Sequence, residues 1–301
     1  MARGSRAYLQ YIPEVTFGTT PSTPQMIEVP GASFTTPLTK TGFTTRDRRA
    51  DRHIVDYRFG RQQGAFTVEA DYRKTDFDTW LEAVLMGTWT TNVLKAGTTN
   101  RHFTLEAGFT DISEYHSYKG CRFNSFKLAV GLDGPVKATF GGMYRELTRS
   151  ATPLDSTPTA ASTNPAFDSF TGSILEGGAS IAIVTGVELN LDNGMSPQNV
   201  VFDDRVTDFV DGKSTLTGQI SAYFESDTLF AKFRGETATS LSFTLTDSNA
   251  ATHTFLVPRM FYTGGDGFSA SGDGPIVVTL PFQAVRDSTE ATNLKVTRSA
   301  A

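Results

Sequence analysis

The sequence predicts a mainly β (α+β) chain made of two tandem β-sandwich or barrel domains, each with one short packed helix. Three observations predict it. Most segments alternate apolar and polar residues with period two, as half-buried strands do. Glycine (27) and phenylalanine (23) are frequent among the 301 residues while only 20% are charged, which leans the composition toward sheet and turn. A break rich in Pro, Ser and Thr divides the chain, and the two sides match after a shift of 152 residues.

Residues 1–37 are rich in Pro, Thr and Gly and weak in core positions, so they are expected as an extended N-terminal arm lying against a neighbouring copy. Residues 38–147 make the first domain. In it the alternating strand Phe66, Val68, Ala70, Tyr72 leads to a helix with Thr75 as its cap. Phe77, Trp80, Leu81, Val84 and Leu85 form that helix's apolar stripe, and Gly87 stops it. Strands over 101–106 and 122–130, the turn Asp133-Gly134-Pro135 and the strand Val136, Ala138, Phe140 follow. Residues 148–172, with Pro153, Pro158 and Pro165 among small polar residues, read as a linker.

Residues 173–301 make the second domain and repeat the order. The shift of 152 places Gly218, Ile220, Ala222 and Phe224 under the first-domain strand, and Phe255 and Val257 under Phe103 and Leu105. Ser226 stands as a cap, Leu229, Phe230 and Phe233 form a shorter stripe, and Gly235 ends it. The turn Asp273-Gly274-Pro275 then precedes the strand Ile276, Val278, Leu280. The shared order of strand, helix, strand, turn and strand points to an internal duplication.

The composition argues against several kinds of chemistry. A formal charge of -5 with no basic block does not fit duplex binding, which needs clustered Lys and Arg to release counterions. The lone Cys121 has no partner for a disulfide and reads as a small buried hydrophobe. His53, His102, His116 and His253 are scattered, without metal-ligand spacing. No apolar run reaches the ~18 residues of a membrane span, and a chain soluble in the cytosol when made is expected. The stretch from Gly265 to Ala270 matches G-x-G-x-x-A and Gly267 to Ser271 approaches a nucleophile elbow, but neither opens a helix, so both read as a Gly-rich loop. The acidic pairs Asp76/Asp78 and Asp203/Asp204 read as solvent-facing turn and helix-start residues. No catalytic, cofactor or metal site is expected.

The most charged stretch holds Arg46, Arg48, Arg49, Asp51 and Arg52, and the corresponding stretch of the second domain is acidic at Asp203 and Asp204. Basic against acidic suits head-to-tail contact between copies, within or between rings. Here a resemblance enters. Glu14, Gly18 and Pro21 form a Glu-x-x-x-Gly-x-x-Pro segment, and with the stretches 64–89 and 118–143 the chain resembles the major tail tube proteins of long flexible-tailed (siphovirus-type) bacteriophages. The resemblance implies a non-catalytic virion protein that stacks as rings into a hollow tube, assembled in the host cytoplasm and without membrane contact. Its partners would be itself, the tape measure protein and the terminator and tip proteins, with DNA passing through unbound. Two modules per chain would make the rings trimeric with pseudo-six-fold symmetry. Lumen-facing candidates are Glu69, Asp71, Gln219, Ser221 and Glu225. The competing expectations are a carbohydrate-binding or hydrolytic tail-associated protein using Trp80, Trp89 or exposed tyrosines, and a minor tail or connector protein of the same fold.

Overall fold

Alternation makes the strands, and their pairing decides where every other residue sits. The computed structural model describes residues 1–181, 183–225, 227–265 and 274–299. Its first strands are β1 (Ala7–Glu14), β2 (Ile27–Glu28), β3 (Ser33–Thr35), β4 (Leu38–Thr44) and β5 (Tyr57–Asp71). Helix α1 (Asp78–Leu85) comes next, followed by β6 (Val93–Lys95), β7 (His102–Phe109), β8 (Glu114–Val130), β9 (Lys137–Tyr144) and β10 (Glu146–Ser150). The second run holds β11 (Gly172–Glu176), β12 (Ala179–Ser180), β13 (Val184–Asp192), β14 (Ser196–Gln198), β15 (Asp208–Val210) and β16 (Thr215–Tyr223). Helix α2 (Thr228–Arg234) then leads to β17 (Thr239–Thr246), β18 (Thr252–Tyr262), β19 (Val277–Ala284) and β20 (Lys295–Arg298). The chain is mainly β, and all of these strands but β14 and β15 join one large antiparallel network.

In the first half the ladder runs β1–β7–β8–β9–β5–β4, with β10 on the other edge of β8. In the second half it runs β11–β17–β18–β19–β16–β13, with β20 on the other edge of β18. Register agrees as well: Val68 faces Phe140 and Ile220 faces Leu280. A register irregularity falls between Phe103 and Leu105 against β8, and another between Thr239 and Leu241 against β18. The ladder position of β7 is thus taken by β17, and Phe103 and Leu105 match Thr239 and Leu241. The single shift of 152 put them on Phe255 and Val257 of the adjacent strand, because a period of two does not tell neighbouring strands apart.

One difference between the halves is balanced across the ladder. Phe66 of β5 faces Gly142 of β9, whereas Gly218 of β16 faces Phe282 of β19. A Cβ on either glycine would meet the opposing ring at 2.4–2.5 Å, so each ring lies over a bare backbone.

Helix α1 buries Trp80, Leu81, Val84 and Leu85. The Trp80 ring meets Tyr11, Phe77, Phe123 and Phe140 at centroid distances of 4.9–5.7 Å. Thr75 does not cap this helix: its hydroxyl donates to the Lys74 carbonyl, and Phe77 stands at the N-cap without a side-chain bond. The stop is Met86 in the left-handed region (φ 52), after which Gly87 N–H donates to the Glu82 carbonyl. Ser226, the expected cap of α2, and most of the Gly-rich loop after Gly265 lie outside the described residues.

Two segments are more firmly built into the first half than their composition indicates. β1 pairs along its length with β7 of the same chain and buries Leu9, Tyr11 and Ile12, so residues 7–14 are part of the chain's own sheet. The stretch 148–172 begins in β10 and returns across the first half. There Phe167 N–H donates to the Tyr72 carbonyl at 2.9 Å and the Phe167 ring is fully buried against Tyr72.

Candidate functional site

Two features combine residues from both halves, a seam and a polar sheet face. The seam starts with the length of β8. Its N-terminal part lies between β7 and β10, while Ser125 to Val130 lie between β9 and β13, with Ser125 facing Asp192 and Val130 facing Val187. A second join pairs Val93, Leu94 and Lys95 of β6 with Thr297, Val296 and Lys295 of β20. Beside it Arg298 stacks on Trp89 at 4.4 Å and forms an ion pair with Asp78.

The segment after β13 clamps the seam. Asn193 N–H donates to the Asn124 carbonyl at 2.9 Å, and Met195 N–H donates to Asn124 Oδ1 at 2.8 Å. Arg122, nearly buried, donates to the Phe209 carbonyl and to Asp211, each at 2.6 Å. Met195, Val206 and Phe209 form a small core of their own against Phe17 and Met143. Arg205 reaches Glu146 at 2.9 Å.

The polar face runs without a break across β5, β9, β8, β13 and β16. One row along it is Glu69, Thr139, Lys127, Asn190, Thr217, and the next is Asp71, Lys137, Ala129, Glu188, Gln219. Glu69 pairs with Lys137 at 3.3 Å, Lys127 pairs with Glu188, and Gln219 donates to Glu188 at 2.7 Å. Of the lumen candidates, Glu69, Asp71, Gln219 and Ser221 share this face, and Glu225 is exposed just past the end of β16. Sequence reasoning missed Lys127, Lys137 and Glu188. Their signal was present, since they hold the polar positions of strands whose apolar positions were recognised.

The charged stretches are placed differently from one another. Arg46, Arg48, Arg49, Asp51 and Arg52 are all exposed at the tip of the β4–β5 hairpin, where Arg49 pairs with Asp51 at 3.0 Å. Asp204 instead accepts from Gln62 Nε2 at 2.6 Å, and its carbonyl accepts the Gln62 N–H at 2.8 Å, both within the chain. Asp203 caps the Arg205 N–H at 2.9 Å. Asp78 is not solvent-facing as expected. It is buried, and its carboxyl is pushed up by desolvation, which the adjacent Arg298 partly offsets.

Among the described residues, no three His, Cys, Asp or Glu side chains gather into a set that would hold a metal ion, and no helix is long and apolar enough to cross a membrane. Cys121 is buried, and burial raises its thiol well above the usual range. His253 is buried with Nδ1 2.7 Å from Tyr72 Oη, and desolvation with help from Arg298 and Lys74 lowers it to about 3. Trp80 is fully enclosed, so it offers no sugar-stacking surface.

The Glu14 motif has a structural explanation. The Glu14 carboxylate accepts from Gly18 N–H (2.7 Å), Thr104 Oγ1 (2.7 Å) and Gly120 N–H (2.9 Å), pinning the turn after β1. Gly18 (φ +74) and Gly120 (φ +64) both need the left-handed region.

A search of curated proteins returns no significant match. A scan against protein families matches residues 4–284 to a phage tail tube protein family, a span that includes the polar face and the β8–β13 join and ends before β20. The chain belongs to the phage tail tube protein family.

Proposed function

We propose that three copies close into a ring of pseudo-six-fold symmetry, and that rings stack into the hollow tube of a long flexible tail, assembled in the host cytoplasm. In this reading each chain supplies two duplicated tube modules, 38–147 and 173–301, tied by the segment 148–172. One observation carries it. The two halves have the same ladder and are joined through β8 on β13. The counterparts of those edges, the outer side of β3 and β4 and the side of β18 opposite β19 past Met260, have no strand partner among the described residues. Such open edges are normally covered or paired, and a ring pairs both at once.

The polar face then lines the bore. Lys127 and Lys137 are each neutralised by a glutamate, and with Lys213 at one end of the face the four carboxylates Glu69, Asp71, Glu188 and Asp192 still leave it slightly acidic. Tape measure protein and then DNA would pass without specific binding, and terminator and tip proteins would close the ends. Negative-stain images with native mass spectrometry test this: six-lobed rings of three chains are expected. Rings of six chains, or a monomer at every concentration, would overturn it.

A further inference from the structure

We propose that the projecting hairpin of residues 39–63 docks on the second half of the adjacent copy in the ring, where it takes the place that segment 193–214 takes on the first half. The proposal rests on the ring reading above and adds the contact that closes it. The shift of 152 sets Phe43, Ile54 and Tyr57 on Met195, Val206 and Phe209. The second set is buried against the first half, at 8%, 2% and 3% exposure. The first set lies in solvent at 55%, 74% and 57%. Both segments are hairpins, with Thr44 facing Tyr57 in one and Pro197 facing Phe209 in the other. An apolar triplet that is core in one segment and bare in the other marks a contact completed by another molecule.

The receiving face is given by the ladders. On the first half, β8 and β9 pair Arg122 with Met143 and Phe123 with Gly142 beneath the docked segment. On the second half, β18 and β19 pair Phe261 with Gln283 and Tyr262 with Phe282. Phe261 and Gln283 therefore hold the positions of Arg122 and Met143, and an aromatic ring stands where Tyr57 would arrive. Overall charge favours the match: the hairpin carries seven Lys and Arg against three Asp, and residues 173–301 carry eight against fifteen Asp and Glu.

Two variants of the full chain test it. Tyr57→Cys with Gln283→Cys is expected to give a disulfide between chains in assembled rings, mapped by proteolysis and mass spectrometry; the native Cys121 is buried. Phe43→Ser with Ile54→Ser and Tyr57→Ser is expected to leave the monomer's circular dichroism and melting unchanged, because these side chains are exposed. It should raise the concentration needed for rings at least about tenfold. Rings that form normally from the triple variant, with no interchain link in the cysteine pair, would overturn the docking and leave the ring reading standing. A link within one chain, or one found only in stacked tubes and not in single rings, would overturn it too. If the parent chain forms no rings at all, the ring reading fails, and interchain-linked oligomers of the cysteine pair would still support the docking.

Discussion

Helices α1 and α2 come after equivalent ladder strands, β5 and β16, yet one is core and the other is surface. Six of the eight residues of α1 are buried and none of α2's is. The first half packs on α1 through Tyr11, Phe123 and Phe140, and the second half adds further cover. Arg298 of β20 pairs with Asp78, Asn193 Nδ2 donates to the Val84 carbonyl at 2.8 Å, and β20 pairs with β6 just beyond the helix. Around α2 the packing is only partial, through Leu229, Phe230 and Phe233, and ion pairs of Lys232 with Glu176 and Arg234 with Asp227 flank it. The ladder sets where a helix lies, while its burial depends on which other segments pack over it. A seven-residue helix is marginal by itself and takes its stability from whatever packs on it.

The largest expected effect that sharpens this comparison is at the helices. Trp80→Ala should destabilise the chain by about 3–5 kcal/mol in denaturant unfolding, through lost burial and the cavity left behind. Phe233→Ala, on partly exposed α2, should cost less than about 1 kcal/mol in the monomer. Equal costs would break the comparison. Next come the charges. Arg122→Met, which removes the nearly buried partner of Asp211 and the Phe209 carbonyl, should cost about 2 kcal/mol. Arg234→Met, in an exposed pair, should stay within about 0.5 kcal/mol; a larger loss there would show α2 to be held electrostatically.

The smallest effect is one of pH. His253 stays neutral in the fold down to about 3, while the unfolded chain takes up the proton near 6.5. The unfolded state binds more protons in that window, so stability is full above about 6.5 and falls by roughly 1.4 kcal/mol or less per pH unit below it. The groups facing His253 are Tyr72 just past β5, Arg298 from β20, and Lys74. Melting temperatures of the parent and His253→Gln should converge as pH drops from 7 to 4; parallel curves would show that His253 is not the group responsible.

Much of the ladder was legible where burial is one-sided. Val68 and Ala70 on β5 and Ile220 and Ala222 on β16 alternate cleanly because each strand has one wet face, and Phe66 over Gly218 looked like an exception only until Phe282 supplied the ring from across the ladder. The seam was not legible, because nothing local to 125–130 names 187–192 as its partner. Asp78 was misread for a related reason: a carboxylate at a helix start usually faces water, and the arginine that covers it lies 220 residues away. Phe167 was hidden by its setting, one of two phenylalanines in a stretch whose Pro, Ser and Thr dominate any compositional reading. On the candidate face, Glu69 and Gln219 were found by alternation alone, whereas the lysines that neutralise it needed the strand order.

The continuity of β8 has a mechanical consequence. One uninterrupted backbone of 17 residues serves the first half's sandwich and also the seam with β13. A pull along that strand strains the six facing residue pairs of the seam together, in shear, and does not peel them apart one at a time. Tension on either half is thereby passed to the other through main-chain amides, with side-chain pairs such as Lys127 and Glu188 acting in parallel.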